Sequence, residues 1–329
     1  MAPYIILIVL LIIAWAFKGW KDIVSGWRII KNSFLVFQKY PQFIIPLLIQ
    51  QVVSAPILLY LAFGSGYFFD TYFIWILLAA VFCIALLLTV CCLILLELIE
   101  QLETQQQINF WTAVKRALGR DAFKALPLVI IWTIIWFILL VIEALLSKAE
   151  RQRENLSAES AARVLQGAST TVSESLFALL EKGIRMSIFF ILPGIAWQGL
   201  SFSRATGQAF RMVRSHLGIF ISGFVLATVV QTIIFLPAGI IFALSDGNQI
   251  QFPTWVWIIT ILYIFLAWSY TIYTEQMFSA TLYLWELKWQ KSIKEPPAGI
   301  PAPSFNDVPM PSLLSDTDDL LPAKIPASQ

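Results

Sequence analysis

Side chains able to do chemistry are sparse in this sequence. The single histidine, His216, stands beside Arg211, Arg214 and Ser215 at the start of an apolar run, which is where an interfacial residue sits. Cys83, Cys91 and Cys92 share one apolar run and have neither histidine partners nor metal-ligand spacing. They read as small buried hydrophobes, with reversible acylation of the Cys91–Cys92 pair as the alternative. No glycine-rich phosphate loop, metal-ligand cluster or nucleophile elbow is present. The polar groups left to consider lie in or beside apolar segments: Gln50 and Gln231 within them, and Glu97, Glu100, Glu143 and Glu275 at their flanks. The flanking glutamates can each reach an interface, so no mid-membrane charge is expected. The sequence therefore predicts no catalytic residue, cofactor or metal, and a protein that is not an enzyme.

The elements that hold these groups are membrane helices. Of 329 residues, 59% are hydrophobic and only 13% charged, against roughly 45–50% and 25% in soluble domains. Charge-free windows at 1–17, 40–69, 71–96, 125–142, 186–203, 215–245 and 247–274 hold about half of the chain. An all-α, polytopic fold with about seven transmembrane helices follows. The spans fall near 3–17, 42–63, 72–96, 125–145, 186–202, 217–243 and 254–275. Net charge is +2 and the cations sit beside the spans, which excludes nucleic acid as a partner. Lys18, Lys21, Arg28, Lys31 and Lys39 follow the first segment, so it reads as an uncleaved anchor with its N-terminus outside. A cytoplasmic C-terminus places 16 of the 22 Lys and Arg residues inside.

Three basic amphipathic segments precede outward-going spans. The first has Ile23, Trp27, Ile30, Phe34 and Phe37 at helical spacing, with Arg28 and Lys31 off that stripe. The second has Phe110, Ala113, Val114, Ala117 and Leu118, flanked by Lys115 and Arg116. The third alternates Ala209, Phe210, Val213 and Leu217 with Arg204, Arg211 and Arg214. Such helices lie in the interface, and these cations are the candidate contacts to anionic lipid headgroups of the bilayer.

Gln50, Pro56, Ala62 and Gly66 match Gln231, Pro237, Ala243 and Gly247 at a constant offset, suggesting a parallel internal repeat. The chain then divides into an anchor at 1–19, repeat units at 20–97, 98–202 and 203–290, and a Pro-rich cytoplasmic tail at 291–329. A carboxamide in hydrocarbon needs partners, so Gln50 and Gln231 should face the bundle interior. There they would bond across a pseudo-symmetry axis or line a polar path.

Residues 147–185 form the one sizeable extracytoplasmic loop, with a helical period and a capping box of Thr171 and Glu174. From Glu295 onward half of the chain's 16 prolines accumulate, and the expectation is a tail without fixed structure. Its segment from Ser312 to Leu321 is the alternative, a short element that docks on a partner.

Gly26-Trp27-Arg28-Ile29-Ile30-Lys31-Asn32-Ser33 followed by Pro46-Leu47-Leu48 resembles an uncharacterised family of prokaryotic six-helix membrane proteins. Residues 188–214 and 276–283 are similar to that family's later segments. More distantly, the chain resembles the membrane part of glycerophosphodiester phosphodiesterases, without their catalytic domain. The resemblance implies a bacterial inner membrane and gives no activity. The functional expectation is a structural or accessory subunit of a membrane assembly, contacting a protein partner through 295–329 or 147–185. The alternative is a transporter or lipid-handling protein with a path near Gln50 and Gln231. A third option is an intramembrane enzyme using Glu97 or Glu143.

Overall fold

A computed structural model describes residues 19–63, 70–104, 106–151, 172–246, 252–294, 303–311, 313–314 and 320–321. The predicted anchor at 3–17 and most of the loop at 147–185 lie outside these residues. The described part is helical: α1 (Trp20–Lys39), α2 (Ile45–Phe63), α3 (Asp70–Glu103), α4 (Phe110–Arg116), α5 (Ala122–Arg151), α6 (Val172–Ala196), α7 (Phe202–Ser215), α8 (Leu217–Asp246) and α9 (Thr254–Lys294). Short turns of tighter helix at Pro41–Ile44 and Phe305–Asp307 complete it.

Five segments are long and apolar enough to cross a bilayer: Pro41–Tyr60, Ile74–Glu103, Phe110–Ile142, Leu217–Ser245 and Thr254–Lys294. The protein is a multi-pass membrane protein. Its outer surface shows why. Ile221, Val225, Val229, Ile233, Leu236, Ile240 and Leu244 stand exposed at three- and four-residue spacing along α8, and only hydrocarbon covers such a stripe favourably. The span predicted at 186–202 differs. The helix runs from Val172 to Ala196, and Glu181, Lys182 and Arg185 break its hydropathy. It stops before Gly199, whose φ of 62° turns the chain toward α7.

The core lies between the C-terminal halves of α3 and α9. Residues 91–101 and 271–286 are buried on every side of their helices, so these two stretches carry no lipid-facing stripe. Cys91 and Cys92 are buried there, whereas Cys83 is exposed. Trp197 donates its indole N–H to the Leu96 carbonyl at 3.0 Å, and Tyr273 donates its hydroxyl to the Ser33 carbonyl at 3.0 Å.

The first amphipathic segment has two working faces. Gly26, Ile29, Ile30, Ser33 and Val36 of α1 are buried against the bundle. Trp20, Trp27 and Phe34, seven residues apart, are exposed beside Arg28 and Lys31. The predicted stripe mixed the two faces. Close approach of α1 to α8 requires small residues. A Cβ on Gly26 would lie 2.7 Å from Ser222 Oγ, and where α8 meets α9 one on Gly223 would enter the Phe278 ring.

The second amphipathic segment is short. Asn109 caps α4 by accepting from the Thr112 N–H at 3.1 Å, and Gln101 clamps Asn109 with two hydrogen bonds of 2.7 and 3.2 Å. A kink at Gly119 then redirects the chain into α5.

The tail expectation changes for the described residues 303–311, 313–314 and 320–321. Phe305, Val308, Leu313 and Leu321 are buried in the same apolar cluster as the bundle. The turn at Phe305–Asp307 is closed by a capping box between Ser304 and Asp307, and those bonds hold the Asp307 carboxyl below its ordinary range. Trp285 and Trp289 of α9 donate their indole N–H groups to the carbonyls of Val308 and Pro303 at 2.9 and 3.0 Å.

Candidate functional site

The most unusual chemistry in the bundle is a cluster of ionisable groups where α6, α8 and α9 meet. Arg185 of α6 grips Glu275 of α9 with both ends of its guanidinium: Nε to Oε2 at 2.8 Å and Nη2 to Oε1 at 3.1 Å. Lys182, one turn earlier, lies 3.4 Å from Glu275 Oε1 and donates to Gln231 Oε1 of α8 at 2.9 Å. Glu275 is fully buried, and Arg185 and Lys182 are 4% and 5% exposed. Aromatic faces line the other sides, with Trp268 5.3 Å from the guanidinium carbon and Phe224 5.7 Å from the ammonium.

The cluster sits deep within its helices. Gln231 follows the start of α8 at Leu217 by fourteen residues, and Lys182 precedes the end of α6 at Ala196 by fourteen. At about 1.5 Å per residue both lie about 21 Å from those helix ends, on the tail-bearing side of the bundle. Two cations here face one fully buried carboxylate. Glu181, which approaches Arg185 at 3.5 Å, has a side chain 38% exposed. Two cations and two carboxylates thus meet here, with Glu275 shared by both cations.

From Glu275 a line of polar side chains runs down one face of α9 toward the tail: Ser279, Tyr283, Glu286 and Gln290, at four-, four-, three- and four-residue spacing. The Tyr283 hydroxyl is buried with no hydrogen-bond partner among the described residues, and so are both ends of the adjacent Gln276 carboxamide. At the foot of the line Glu286 holds His216 Nε2 at 2.6 Å and Gln290 Nε2 at 2.7 Å. Phe305 of the tail lies against the His216 ring, centroids 3.8 Å apart. Glu286 and Gln290 also border a cavity of about 710 Å³ between α7 and the end of α9.

Of the residues singled out from the sequence, Gln231 belongs to this cluster and Gln50 does not. Gln50 is buried in α2, donates weakly to Ser54 at 3.4 Å, and leaves its Oε1 without a partner among the described residues. The two glutamines thus bond in separate neighbourhoods. Glu97 is fully buried in α3, 3.8 Å from Arg116 of α4. Glu143 lies in α5, with its side chain outside the described residues. Arg28, Lys31, Lys115, Arg211 and Arg214 are exposed, as headgroup contacts need to be. Glu275, expected at a span's flank within reach of an interface, is instead buried in the bundle with Lys182 and Arg185. One signal did point to them: the helical period carried from Val172 through Leu180 into the next span, so charges at 182 and 185 had to lie on a continuous helix.

Among the described residues no group of three or more His, Cys, Asp or Glu side chains is placed to hold a metal ion. Comparison of the chain with protein-family models, with curated proteins and with solved structures finds no match.

Proposed function

We propose that this membrane protein is a transporter or lipid-handling protein whose polar path runs beside Gln231, between α6, α8 and α9. The observation that carries the reading is the Lys182–Gln231–Glu275–Arg185 cluster buried inside the helix bundle. Ionisable groups there are costly, and they characteristically line the path of a polar or charged ligand. The two buried cations favour an anionic or phosphate-bearing ligand, and the polar line on α9 leads from the cluster to the cavity on the tail-bearing face. The accessory-subunit reading gains less from the tail, because the described leucines of its docking segment, Leu313, Leu314, Leu320 and Leu321, pack on the chain's own helices.

Orientation belongs to the same proposal. With Lys182 and Arg185 withdrawn into the bundle, the segment 146–185 keeps four of its six cations. The excess on the other face then argues for a cytoplasmic tail in a bacterial inner membrane.

The test is native mass spectrometry of the protein purified in mild detergent from native membranes. The expected result is a non-covalent lipid or solute mass on the parent chain. It should persist in Gln50→Leu and be lost in the folded Lys182→Met, Gln231→Leu double variant. A stoichiometric protein partner with no small-molecule mass would sink the reading and restore that of an assembly subunit.

A further inference from the structure

We infer that the cavity of about 710 Å³ between α7 and the end of α9 is a binding site for a phosphate group, presented by an anionic phospholipid or by a free phosphate ester. Arg211 reaches it from α7, and Lys291 and Lys294 reach it from α9. All three are exposed, and none makes an ion pair with a described residue. Among the described lining residues Glu286 is the one carboxylate, and its two oxygens are already engaged by His216 and Gln290. Among its described residues the mouth therefore carries three cations against one satisfied anion. Lys291 and Lys294 alone would be explained by the negative end of the α9 dipole. Arg211 comes from a different helix, so that explanation does not account for the convergence of all three. Gln208 and Gln198 add amide donors of the kind that fix a phosphate's orientation, and the volume suits a headgroup.

The membrane supplies the natural source. Phe210, beside Arg211 on α7, is 68% exposed, and Leu217 at the start of α8 is 50% exposed. With these side chains among acyl chains, Arg211 stands at the level of lipid phosphates. Leu320 of the tail closes part of the wall and gives an apolar surface beside the charged floor.

This inference names the ligand class of the proposed function and rests on it only for the step across the membrane. Binding at the cavity is read separately from any loss of the cluster. The experiment uses the full chain in nanodiscs of phosphatidylcholine, with and without phosphatidic acid, and titrates inorganic phosphate or glycerol phosphate into the first. Lipid retention is followed by native mass spectrometry and soluble ligand by thermal shift. Arg211→Gln with Lys291→Gln should weaken whichever probe binds at least about tenfold, since two charge-assisted bonds are lost. Gln208→Trp, which keeps every cation but fills the cavity, should do the same. Lys21→Gln with Lys39→Gln removes as much charge from α1 and should change binding less than about twofold. Retention of phosphatidic acid alone assigns the lipid as source, and saturation by the soluble probe assigns a free phosphate ester. The inference fails if neither probe binds, if the cavity variants bind like the parent, or if the α1 variant loses as much as they do.

Discussion

Removing the carboxylate at Glu275 tests whether the charge cluster is held as described. Glu275→Gln keeps shape and size but leaves the guanidinium of Arg185 and the ammonium of Lys182 inside the bundle. The closest carboxylate then left to Arg185 is Glu181, half in contact with the surroundings. Breaking a buried ion pair by removing one partner costs about 3–5 kcal/mol, because the surviving charge stays desolvated. Here the lost carboxylate serves two cations, one of them bidentate, so the upper part of that range applies. That corresponds to an unfolding equilibrium shifted by roughly three orders of magnitude. The assay is tryptophan-fluorescence unfolding in mixed micelles of increasing denaturing detergent. Thr271→Ala, at similar depth and without charge, serves as reference. The counterpart is the triple apolar variant Lys182→Met, Arg185→Met, Glu275→Leu, expected within about 1 kcal/mol of the parent or above it. A loss below about 1 kcal/mol in Glu275→Gln, or an equal loss in the triple variant, would refute the electrostatic account. Packing alone would then hold α6 to α9.

Gly223→Ala should cost about 1–3 kcal/mol in the same assay, since its Cβ would enter the Phe278 ring, and Phe278→Leu should recover most of the loss. Gly239→Ala, with open space around the added methyl, should stay within about 0.5 kcal/mol or stabilise. Phe305→Ala should release the tail from its seat on His216 and Trp285, a loss of about 3 kcal/mol at most. Amide exchange at Val308 and red-shifted tryptophan emission would report it, and unchanged exchange would contradict the docked tail.

The membrane helices were legible because hydrocarbon selects for local apolarity, and a window of twenty residues contains that signal. The charge cluster was not legible, for the same reason. A hydropathy window ends at each ionisable residue, so Arg185 and Glu275 appeared as flanks of two spans. Only the pairing of residues 90 positions apart makes either affordable within the membrane. For α1, a single helical stripe was sought, whereas the helix serves two apolar environments on adjoining faces. In the tail, proline content excluded regular helix but said nothing about isolated anchors. Phe305, Val308, Leu313 and Leu321 hold an irregular chain without any periodicity that a sequence could display.

The uninterrupted course of α9 has a mechanical consequence. Its 41 residues make a rod of about 60 Å, twice the thickness of the hydrocarbon layer, with no proline along it. Glu275 lies near its midpoint, clamped by Arg185, and Lys294 lies nineteen residues beyond, an arm of about 28 Å. A tilt of about 10° pivoting at the clamp carries the tip about 5 Å, roughly the width of a phosphate group. Strain at the clamp and the opening of the distant mouth are thereby two ends of one lever.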